Sequence, residues 1–390
     1  MTKKNILLII PNLDFGGAQV SFMKLNAMLS TYHNVLAVVF NKDNMAPFPL
    51  ADKVVELGVK GGSSVWRKVL NFRLRIVRLR RLKQAHRIDV SISFLEGADY
   101  VNILSRTSDR VVVSVRGSKR NDQNIAGPIG WLRHYLLMPF LYKRAHAVVA
   151  VNEGIRNELV NHYGIRNVTV IPNGYNVNEI RTRATEVIDD AQVATYLSRH
   201  KVIALAGRLA PEKGFHLFMP VFAALKMQYP ALRLLVVGDG PWKNEIEKAI
   251  SKAGLTCSGT PTADSDVLLA GYQENPHKFI SKAQLFVLPS LHEGFPNALV
   301  EAMAVGVPVA AANCPYGPAE ILGGGGQEPC GLLLPVLNEP DAQQAWVRQL
   351  EVLVKDLYMQ QVYVSAASRK MLEYGEEKVL RRWLDLIDRL

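Results

Sequence analysis

Cysteine is scarce in this chain of 390 residues. Its three cysteines, Cys257, Cys314 and Cys330, all lie in the second half, and they form no Cys-x-x-Cys pair. This pattern excludes a disulfide framework and a zinc knuckle as the basis of the fold. We therefore expect a protein of the reducing cytoplasm.

Long apolar runs are also missing. No uninterrupted apolar segment approaches the roughly 20 residues that span a bilayer, so any contact with a membrane is expected to be peripheral. The apolar run at residues 6–10 is short and meets Pro11 and Asn12. It is too short for a signal peptide and predicts a buried first strand.

Acidic residues are few in the first half of the chain. Residues 1–180 contain 25 Lys+Arg and 12 Asp+Glu, a net charge of +13, and the remainder contains 21 and 23, a net charge of −2. Between Arg67 and Arg87 there are nine basic residues and no acidic one. A basic half is compatible with nucleic acid, anionic lipid or a phosphorylated substrate, and also with an ordinary solvated surface.

The basic segment at residues 67–87 has apolar residues at helical spacing. They are Val69, Phe72, Ile76, Leu79 and Leu82, with arginines around them. A basic amphipathic helix is typical of a membrane-surface element. A packed helix with long arginine stems and a nucleic-acid patch are the alternatives. We favour an anionic membrane surface as the partner and expect no nucleic acid.

Two domains of an α/β class are predicted from length and pattern. The length suits two cores of roughly 200 residues each. Short runs that are apolar on both faces alternate with helix-length segments, which predicts parallel strands buried under helices in two doubly wound sheets. The runs are residues 6–10, 35–40, 90–94, 111–115, 147–151 and 168–171, and then 202–206, 232–237, 285–288, 309–312 and 331–334. A Pro172-Asn173-Gly174 turn places the hinge near residues 174–200.

The clearest motif is a Gly-Phe-Pro-Asn turn between two carboxylates, Glu293 and Glu301. Pro296 suits the first position of a helix, so we expect the N–H groups of Asn297, Ala298 and Leu299 to form an anion site suited to a diphosphate. The two carboxylates can accept hydrogen bonds from sugar and ribose hydroxyls on either side. The alternative is two glutamates on a solvated helix start.

A second cluster, Arg208 to Gly214, follows the run at residues 202–206. Arg208 and Lys213 lie where ligands bind in open α/β sheets and can neutralise a departing diphosphate; each is also a plausible surface salt-bridge partner. The Gly238-Asp239-Gly240 turn begins like a dinucleotide fingerprint, but Lys243 stands at its third glycine position, so a nicotinamide site is not favoured. Near the start, Gly16 and Gly17 allow backbone amides to approach a phosphate or sugar.

These motifs occur together in the order seen in a known family. The chain resembles the retaining glycosyltransferases of family four, which have the GT-B fold. The resemblance rests on Gly16-Gly17-Ala18, Ile171-Pro172-Asn173-Gly174, Gly207-Arg208 with Glu212-Lys213-Gly214, Gly238-Asp239-Gly240, and Glu293 and Glu301 with seven residues between them. It implies two Rossmann-like domains facing a cleft: an acceptor-binding domain at residues 1–176, joined by a terminal helix at 376–390, and a nucleotide-sugar domain at 177–375.

The resemblance also implies roles for particular residues. Arg208 and Lys213 hold the donor diphosphate, Glu293 the transferred sugar and Glu301 the ribose diol, so Glu293, Arg208 and Lys213 form the catalytic set. The donor site is completed by residues Gly16, Gly17, Gly271, Tyr272, Phe295, Pro296, Asn297, Ala298 and Leu299. No cofactor and no metal are expected, in agreement with the position of Asp264-Ser265-Asp266 before an apolar run rather than after one.

The chain departs from the family at one position. Many relatives have a histidine before a glycine where this chain has Arg116 and Gly117. An arginine cannot serve as a base at neutral pH, so Arg116, with Lys119 nearby, is expected on the acceptor side against an anion. Residues 313–322 look like a loop found in bacterial surface-polysaccharide members.

The resulting hypothesis is a hexosyltransferase of bacterial surface-polysaccharide synthesis. It transfers a sugar with retention from a nucleotide-sugar donor to a lipid-linked glycan acceptor at the cytoplasmic face of the plasma membrane. A sugar-nucleotide 2-epimerase and a non-catalytic sugar-nucleotide sensor at the membrane are the alternatives.

Overall fold

The computed structural model describes residues 2–14, 16–43, 54–59, 64–120, 127–260, 265–324, 326 and 328–390. The chain divides into two compact units, Met1–Gly174 with Glu376–Leu390, and Tyr175–Gly375. The division falls two residues before the boundary expected from the sequence, directly after the Pro-Asn-Gly turn.

The first unit is built on a parallel sheet of seven strands in the order β3-β2-β1-β4-β5-β6-β7. Central strands are buried on both faces, because helices cover the sheet on each side. The strands are β1 (Asn5–Ile10), β2 (Asn34–Val39), β3 (Val55–Glu56), β4 (Val90–Phe94), β5 (Arg110–Val115), β6 (Ala147–Ala150) and β7 (Val168–Val170). The helices are α1 (Gly17–Ser30), α2 (Val65–Ala85), α3 (Glu96–Leu104), α4 (Gly127–Leu132), a π-helical stretch (Arg133–Leu137), α5 (Met138–Tyr142) and α6 (Glu153–Asn161).

The second unit repeats this architecture with seven parallel strands in the order β10-β11-β9-β8-β12-β13-β14. Its strands are β8 (Lys201–Ala206), β9 (Leu232–Val237), β10 (Cys257–Ser258), β11 (Val267–Gly271), β12 (Leu285–Leu288), β13 (Val309–Ala312) and β14 (Leu332–Leu334). Its helices are α7 (Val177–Ala184), α8 (Ala191–Arg199), α9 (Phe215–Gln228), α10 (Lys243–Lys252), α11 (His277–Ile280), α12 (Asn297–Val305), α13 (Gly317–Leu322), α14 (Ala342–Lys355) and α15 (Leu357–Lys370).

The prediction of two doubly wound parallel sheets is confirmed. Every strand predicted from an apolar run is present, with its ends within one residue of the predicted ends. Three strands were not predicted. β3 and β10 have two residues each and are too short to give a pattern, and β11 ends in Ala270 and Gly271, which weaken the signal of its apolar start.

The last helix, α16 (Glu376–Arg389), belongs to the first unit. Its apolar side chains Val379, Trp383, Leu384 and Ile387 are buried in the core that also contains Phe22 of α1. The chain therefore returns to the first unit after completing the second.

The apolar stripe predicted on the basic segment lies largely on the inner face of α2. Phe72, Ile76, Leu79 and Leu82 pack on the core of the first unit, and only Val69 is exposed. The predicted stripe is therefore mainly a packing face of the helix, and the prediction that residues 67–87 contact a membrane stays a prediction. The exposed apolar residues of α2 are Trp66, Val69, Leu70, Leu74 and Val77, and we call this set the outer α2 face.

No helix in the part of the chain that the structure describes is both long and apolar enough to cross a membrane.

We predict that Trp383→Ala destabilises the first unit by about 3–5 kcal/mol, because it empties a large core position that is only 1% exposed. Trp66→Ala removes the same side chain from a position 85% exposed, and we expect a change within about 0.5 kcal/mol. Urea unfolding followed by circular dichroism measures both. Equal losses of stability in the two variants would contradict the burial of α16.

Candidate active site

Glycines shape the carboxyl edge of the second sheet, where β8, β9 and β11 end. A Cβ added to Gly238 would lie 1.9 Å from the carbonyl oxygen of Gly207, so only glycine lets these two backbones approach so closely. The Gly238 N–H donates to the Gly271 carbonyl at 2.8 Å. The three strand ends are therefore joined backbone to backbone.

The loop after β8 is fixed against the loop after β12. It forms a single 3-10 turn, Pro211–Lys213, and ends at Gly214 with φ of 65°, in the left-handed region. A Cβ at Gly214 would lie 2.1 Å from the Pro289 carbonyl oxygen, and the Leu291 N–H donates to the Glu212 carbonyl at 2.8 Å. This contact brings Lys213 to the strand end that carries Glu293.

Lys213 and Glu293 form an ion pair at this edge. The Lys213 Nζ lies 2.6 Å from Glu293 Oε1, and their side chains are 22% and 8% exposed. Ser290 Oγ donates to the same carboxylate oxygen at 2.7 Å. Burial, aided by the negative charge of Glu293, raises the pKa of the nearby Cys314 thiol to about 12. The glutamate is thus held in place by a cation and a hydroxyl.

Arg208, the second predicted cation, pairs with Glu212 on its own loop. Its Nη2 lies 2.6 Å from Glu212 Oε1, and its side chain is 53% exposed. An exposed pair of this kind contributes about 0–1 kcal/mol, so Arg208 can exchange Glu212 for a phosphate oxygen at little cost.

The start of α12 corrects one detail of the sequence prediction. Pro296 is the N-cap and the helix begins at Asn297, one residue later than expected. The N–H of Leu299 donates to the Pro296 carbonyl at 3.1 Å, so Leu299 does not offer its N–H to an anion. The predicted amide site therefore loses Leu299, and no described side chain caps the first turn of α12.

Aromatic residues that the sequence did not single out support this turn. The ring of Tyr175 stacks on Phe295 with centroids 6.4 Å apart, and Tyr374 meets Phe295 edge-on at 5.5 Å. The Tyr175 hydroxyl donates to Asn297 Oδ1. Their distance along the chain from the turn explains why no local pattern could reveal them.

Glu301 lies in α12 and faces α11. Its Oε2 is 3.6 Å from His277 Nε2. Gly271 adopts φ of 67° at the end of β11, and the Tyr272 side chain after it is exposed. These predicted donor-site residues therefore lie within α12 or at the end of β11, both in the second unit.

The predicted donor glycines Gly16 and Gly17 belong to the first unit. Gly16 is the N-cap of α1, and Gly17 is its first residue. The backbone of Gly16 is extended, with φ of 178°, so the conformation of Gly16 does not require glycine. A Cβ on Gly16 would lie 2.5 Å from Gln19 Oε1, at the far end of a flexible side chain.

The predicted acceptor-side cations Arg116 and Lys119 follow β5 in the first unit. Arg116 Nη1 donates to Asn173 Oδ1 at 2.8 Å, and Lys119 Nζ lies 3.6 Å from Glu96 Oε2. Glu158 of α6 accepts from Ser118 Oγ at 2.7 Å and from the Lys119 N–H at 2.6 Å. The loop that carries both cations is therefore held by a nearly buried carboxylate that the sequence did not reveal.

Two further carboxylates stand at the carboxyl end of β4. Glu96 is paired with Arg133, at 3.1 Å from Nε, and Asp99 accepts from the Tyr142 hydroxyl at 2.6 Å. Burial raises the pKa of Asp99 to about 6. Both residues follow a predicted strand, and this position was the signal that could have found them.

Among the described residues, no group of three or more His, Cys, Asp or Glu side chains is placed to hold a metal ion. Asp264 lies outside the described residues, and Asp266 is paired with Lys226 at 2.8 Å.

Solved structures share this fold over the whole chain. HepE of Anabaena, in complex with UDP and glucose, gives a TM-score of 0.78 at 18% identity, over 99% of this chain and 100% of that one. Sucrose-phosphate synthase of Thermosynechococcus elongatus gives 0.79 at 16% identity, over 99% of each chain. The chain thus has the GT-B fold of these glycosyltransferases.

The sequence families agree. The family described as Glycosyltransferase Family 4 matches residues 15–179, and that described as Glycosyl transferases group 1 matches residues 189–370. These two matches cover most of the chain, which belongs to the family 4 and group 1 glycosyltransferases.

Individual relatives differ in how much of their length is matched. The N-acetylgalactosamine-N,N'-diacetylbacillosaminyl-diphospho-undecaprenol 4-alpha-N-acetylgalactosaminyltransferase of Campylobacter jejuni is 24% identical over 96% of each chain. An amylovoran biosynthesis glycosyltransferase of Erwinia amylovora is 25% identical over 65% of each. An uncharacterised glycosyltransferase of Methanocaldococcus jannaschii is 30% identical, but over 48% of this chain and 44% of its own length. The chain is a glycosyltransferase whose relatives include enzymes of bacterial polysaccharide synthesis.

We predict that Lys213→Ala and Glu293→Ala each lower turnover by about a hundredfold or more, because each removes a charged group that the family resemblance assigns to the diphosphate or the sugar. Lys226→Ala is the matched control, since it breaks another ion pair of the same unit, with side chains 17% and 16% exposed. Turnover and thermal unfolding are measured for all three variants. Wild-type turnover in the Lys213 and Glu293 variants would remove these residues from the site.

Proposed function

We propose that this chain is a retaining hexosyltransferase that moves a sugar from a nucleotide-sugar donor to a lipid-linked glycan acceptor in bacterial surface-polysaccharide synthesis. The observation that carries the proposal is the Lys213–Glu293 ion pair at the carboxyl edge of the second sheet, beside the uncapped start of α12. At this edge of the sheet, a cation can bind phosphate and a carboxylate can accept hydrogen bonds from hydroxyls. This combination suits a sugar diphosphate.

The donor side follows from these charges. Lys213, Arg208 and the first amides of α12 neutralise the diphosphate, while Glu293 and Glu301 accept hydrogen bonds from the transferred sugar and the ribose. UDP and glucose are the ligands of the HepE structure, which supports a nucleotide-sugar donor of this general kind.

In the proposed reaction, an acceptor hydroxyl attacks the anomeric carbon from the face that the diphosphate leaves. The bond from that carbon to the phosphate oxygen breaks, and the departing phosphate takes the hydroxyl proton. The products are the nucleoside diphosphate and a glycoside of unchanged anomeric configuration. Arg208 and Lys213 stabilise the charge that grows on the leaving group, a role that metal ions fill in other phosphate chemistry.

A lipid-linked acceptor is supported by the Campylobacter jejuni relative, whose name specifies a diphospho-undecaprenol acceptor. The first unit would supply Arg116 and Lys119 to an anionic acceptor. With such an acceptor, the proposed place of action is the cytoplasmic face of the plasma membrane.

We predict that the purified enzyme releases a nucleoside diphosphate from one sugar donor of a panel only when membrane extract supplies an acceptor. Product linkage is read by NMR, and turnover in EDTA is expected to equal turnover without it. Conversion of the donor with no acceptor would instead indicate the 2-epimerase, and donor binding without any release would indicate a sensor. An inverted linkage would refute retention of the anomeric configuration. Loss of turnover in EDTA would refute independence from a metal ion.

Two exposed apolar surfaces on the first unit support a peripheral membrane site. One is the outer α2 face, flanked by the exposed basic side chains Arg67, Lys68, Arg73 and Arg81. The other lies on the helical segment 127–142, and its exposed residues are Trp131, Leu132, Tyr135, Leu136, Leu137 and Phe140. The helices that carry the two surfaces are near each other, since α3 packs against both α2 and α5. Apolar side chains with cations between them suit an anionic leaflet.

Other arginines of α2 have structural partners. Arg75 donates to the Val59 carbonyl at 3.0 Å, Arg78 to the Leu57 carbonyl at 2.6 Å, and Arg80 to the Leu104 carbonyl at 3.1 Å. Replacing them would disturb the unit as well as any membrane contact.

We predict that the triple change Trp66→Ser, Leu70→Gln and Leu74→Gln weakens binding to phosphatidylglycerol vesicles by about tenfold or more, since each side chain loses the burial of its apolar surface in lipid. The control is Val187→Gln with Met227→Gln, which changes exposed apolar residues of the second unit. Vesicle co-sedimentation measures both. Undiminished binding in the triple variant would exclude the outer α2 face as a membrane site.

A further inference from the structure

A cavity of about 630 Å³ lies in the first unit, away from every residue assigned above to donor or acceptor. It is lined by the last turns of α2 and by the connections that precede β4 and β5. Because these connections lead into strands, the cavity lies at the amino edge of the parallel sheet. Arg116 and Lys119 follow β5 and so lie at the opposite, carboxyl edge.

Three arginines line this cavity, Arg80, Arg87 and Arg106, and Arg80 also donates to the Leu104 carbonyl at 3.1 Å. In the part of the chain that the structure describes, no carboxylate forms an ion pair with any of them. The carboxylate of Asp89, also in the lining, accepts from the Asn5 N–H at 2.7 Å. The lining therefore carries a net positive charge.

The floor of the cavity adds no charge to this balance. Lys83 Nζ lies 2.8 Å from Asp109 Oδ2, and both side chains are fully buried. Ser91 Oγ donates to Asp109 at 2.6 Å, and Lys83 also donates to Asn102 Oδ1 at 2.7 Å. Burial lowers the pKa of Lys83 to about 8, although the paired Asp109 carboxylate acts in the opposite direction.

Arg87 occupies a backbone position that favours glycine. It follows the C-cap of α2 with φ of 46°, in the left-handed region. Glycine commonly ends a helix at this position because it has no Cβ to clash. An arginine there carries backbone strain that glycine would not have.

We propose that this cavity binds a phosphate-bearing anion, either a lipid headgroup or a free phosphorylated small molecule. Guanidinium groups form paired hydrogen bonds with phosphate oxygens, and three of them around one concave surface match a phosphate ester or a diphosphate. Gln84 and Ser108, also in the lining, add polar side chains for the remaining oxygens. The proposal does not depend on sugar transfer.

Inorganic pyrophosphate is the first probe, titrated by calorimetry. All proteins carry Lys213→Ala, so that the proposed donor site contributes little to binding. We expect Arg106→Gln and Arg87→Gly each to weaken pyrophosphate binding by about tenfold, the loss of one charge-assisted contact. Arg156→Gln, an exposed arginine of α6 in the same unit, is the matched control and is expected to bind like its parent.

The Arg87→Gly variant separates binding from folding. Glycine relieves the positive φ, so its thermal midpoint without anion should equal or exceed that of the parent while its affinity falls. Weaker binding in this variant cannot then be ascribed to unfolding.

Vesicles of phosphatidate in phosphatidylcholine are the second probe, with phosphatidylcholine alone as the blank. Weaker pyrophosphate binding with unchanged vesicle binding supports a free phosphate ligand, and weaker binding to phosphatidate vesicles supports a headgroup. If the Arg87 and Arg106 variants bind pyrophosphate and phosphatidate vesicles as strongly as the Arg156 variant does, the proposal is overturned.

Discussion

The ion pair between Lys213 and Glu293 is the interaction on which the candidate site depends. It joins the loops that follow β8 and β12, which are neighbouring strands in the sheet. A carboxylate only 8% exposed is unfavourable without a cation, so the pair also fixes the position and direction of the Glu293 side chain. Gly214 makes the pair possible, since any larger residue would collide with the Pro289 carbonyl and move the lysine away.

The pair has a consequence for how a donor would bind. Because Glu293 already offsets the charge of Lys213, a bound diphosphate brings negative charge that this pair alone does not neutralise. In the proposed mechanism the balance comes from Arg208, whose exposed contact with Glu212 is weak, and from the first amides of α12. Glu293 then remains next to the sugar while Lys213 bridges it to the phosphate. In this mechanism the phosphate and Glu293 share Lys213.

Much of the fold could be predicted because buried parallel strands give continuous apolar runs. The limits are physical. The side of α2 that faces the core could not be told from periodicity, since Trp66, Leu70 and Leu74 give it a second apolar face. The pairing of Lys213 with Glu293 joins residues 80 positions apart, and the roles of Tyr175 and Glu158 likewise arise from tertiary contacts. Sequence spacing placed the helix start at Pro296 one residue early, because proline suits both the N-cap region and the first turn.

A double-mutant cycle on nucleoside diphosphate affinity tests the central claim most directly. Calorimetry would compare wild type, Lys213→Ala, Glu293→Ala and the double variant, using the nucleoside diphosphate released in the donor panel. If the pair lies at the diphosphate, we predict a coupling of about 1 kcal/mol or more, since removing the glutamate changes how strongly the lysine can engage phosphate. Effects that add to within about 0.3 kcal/mol, or that leave affinity unchanged, would contradict the account.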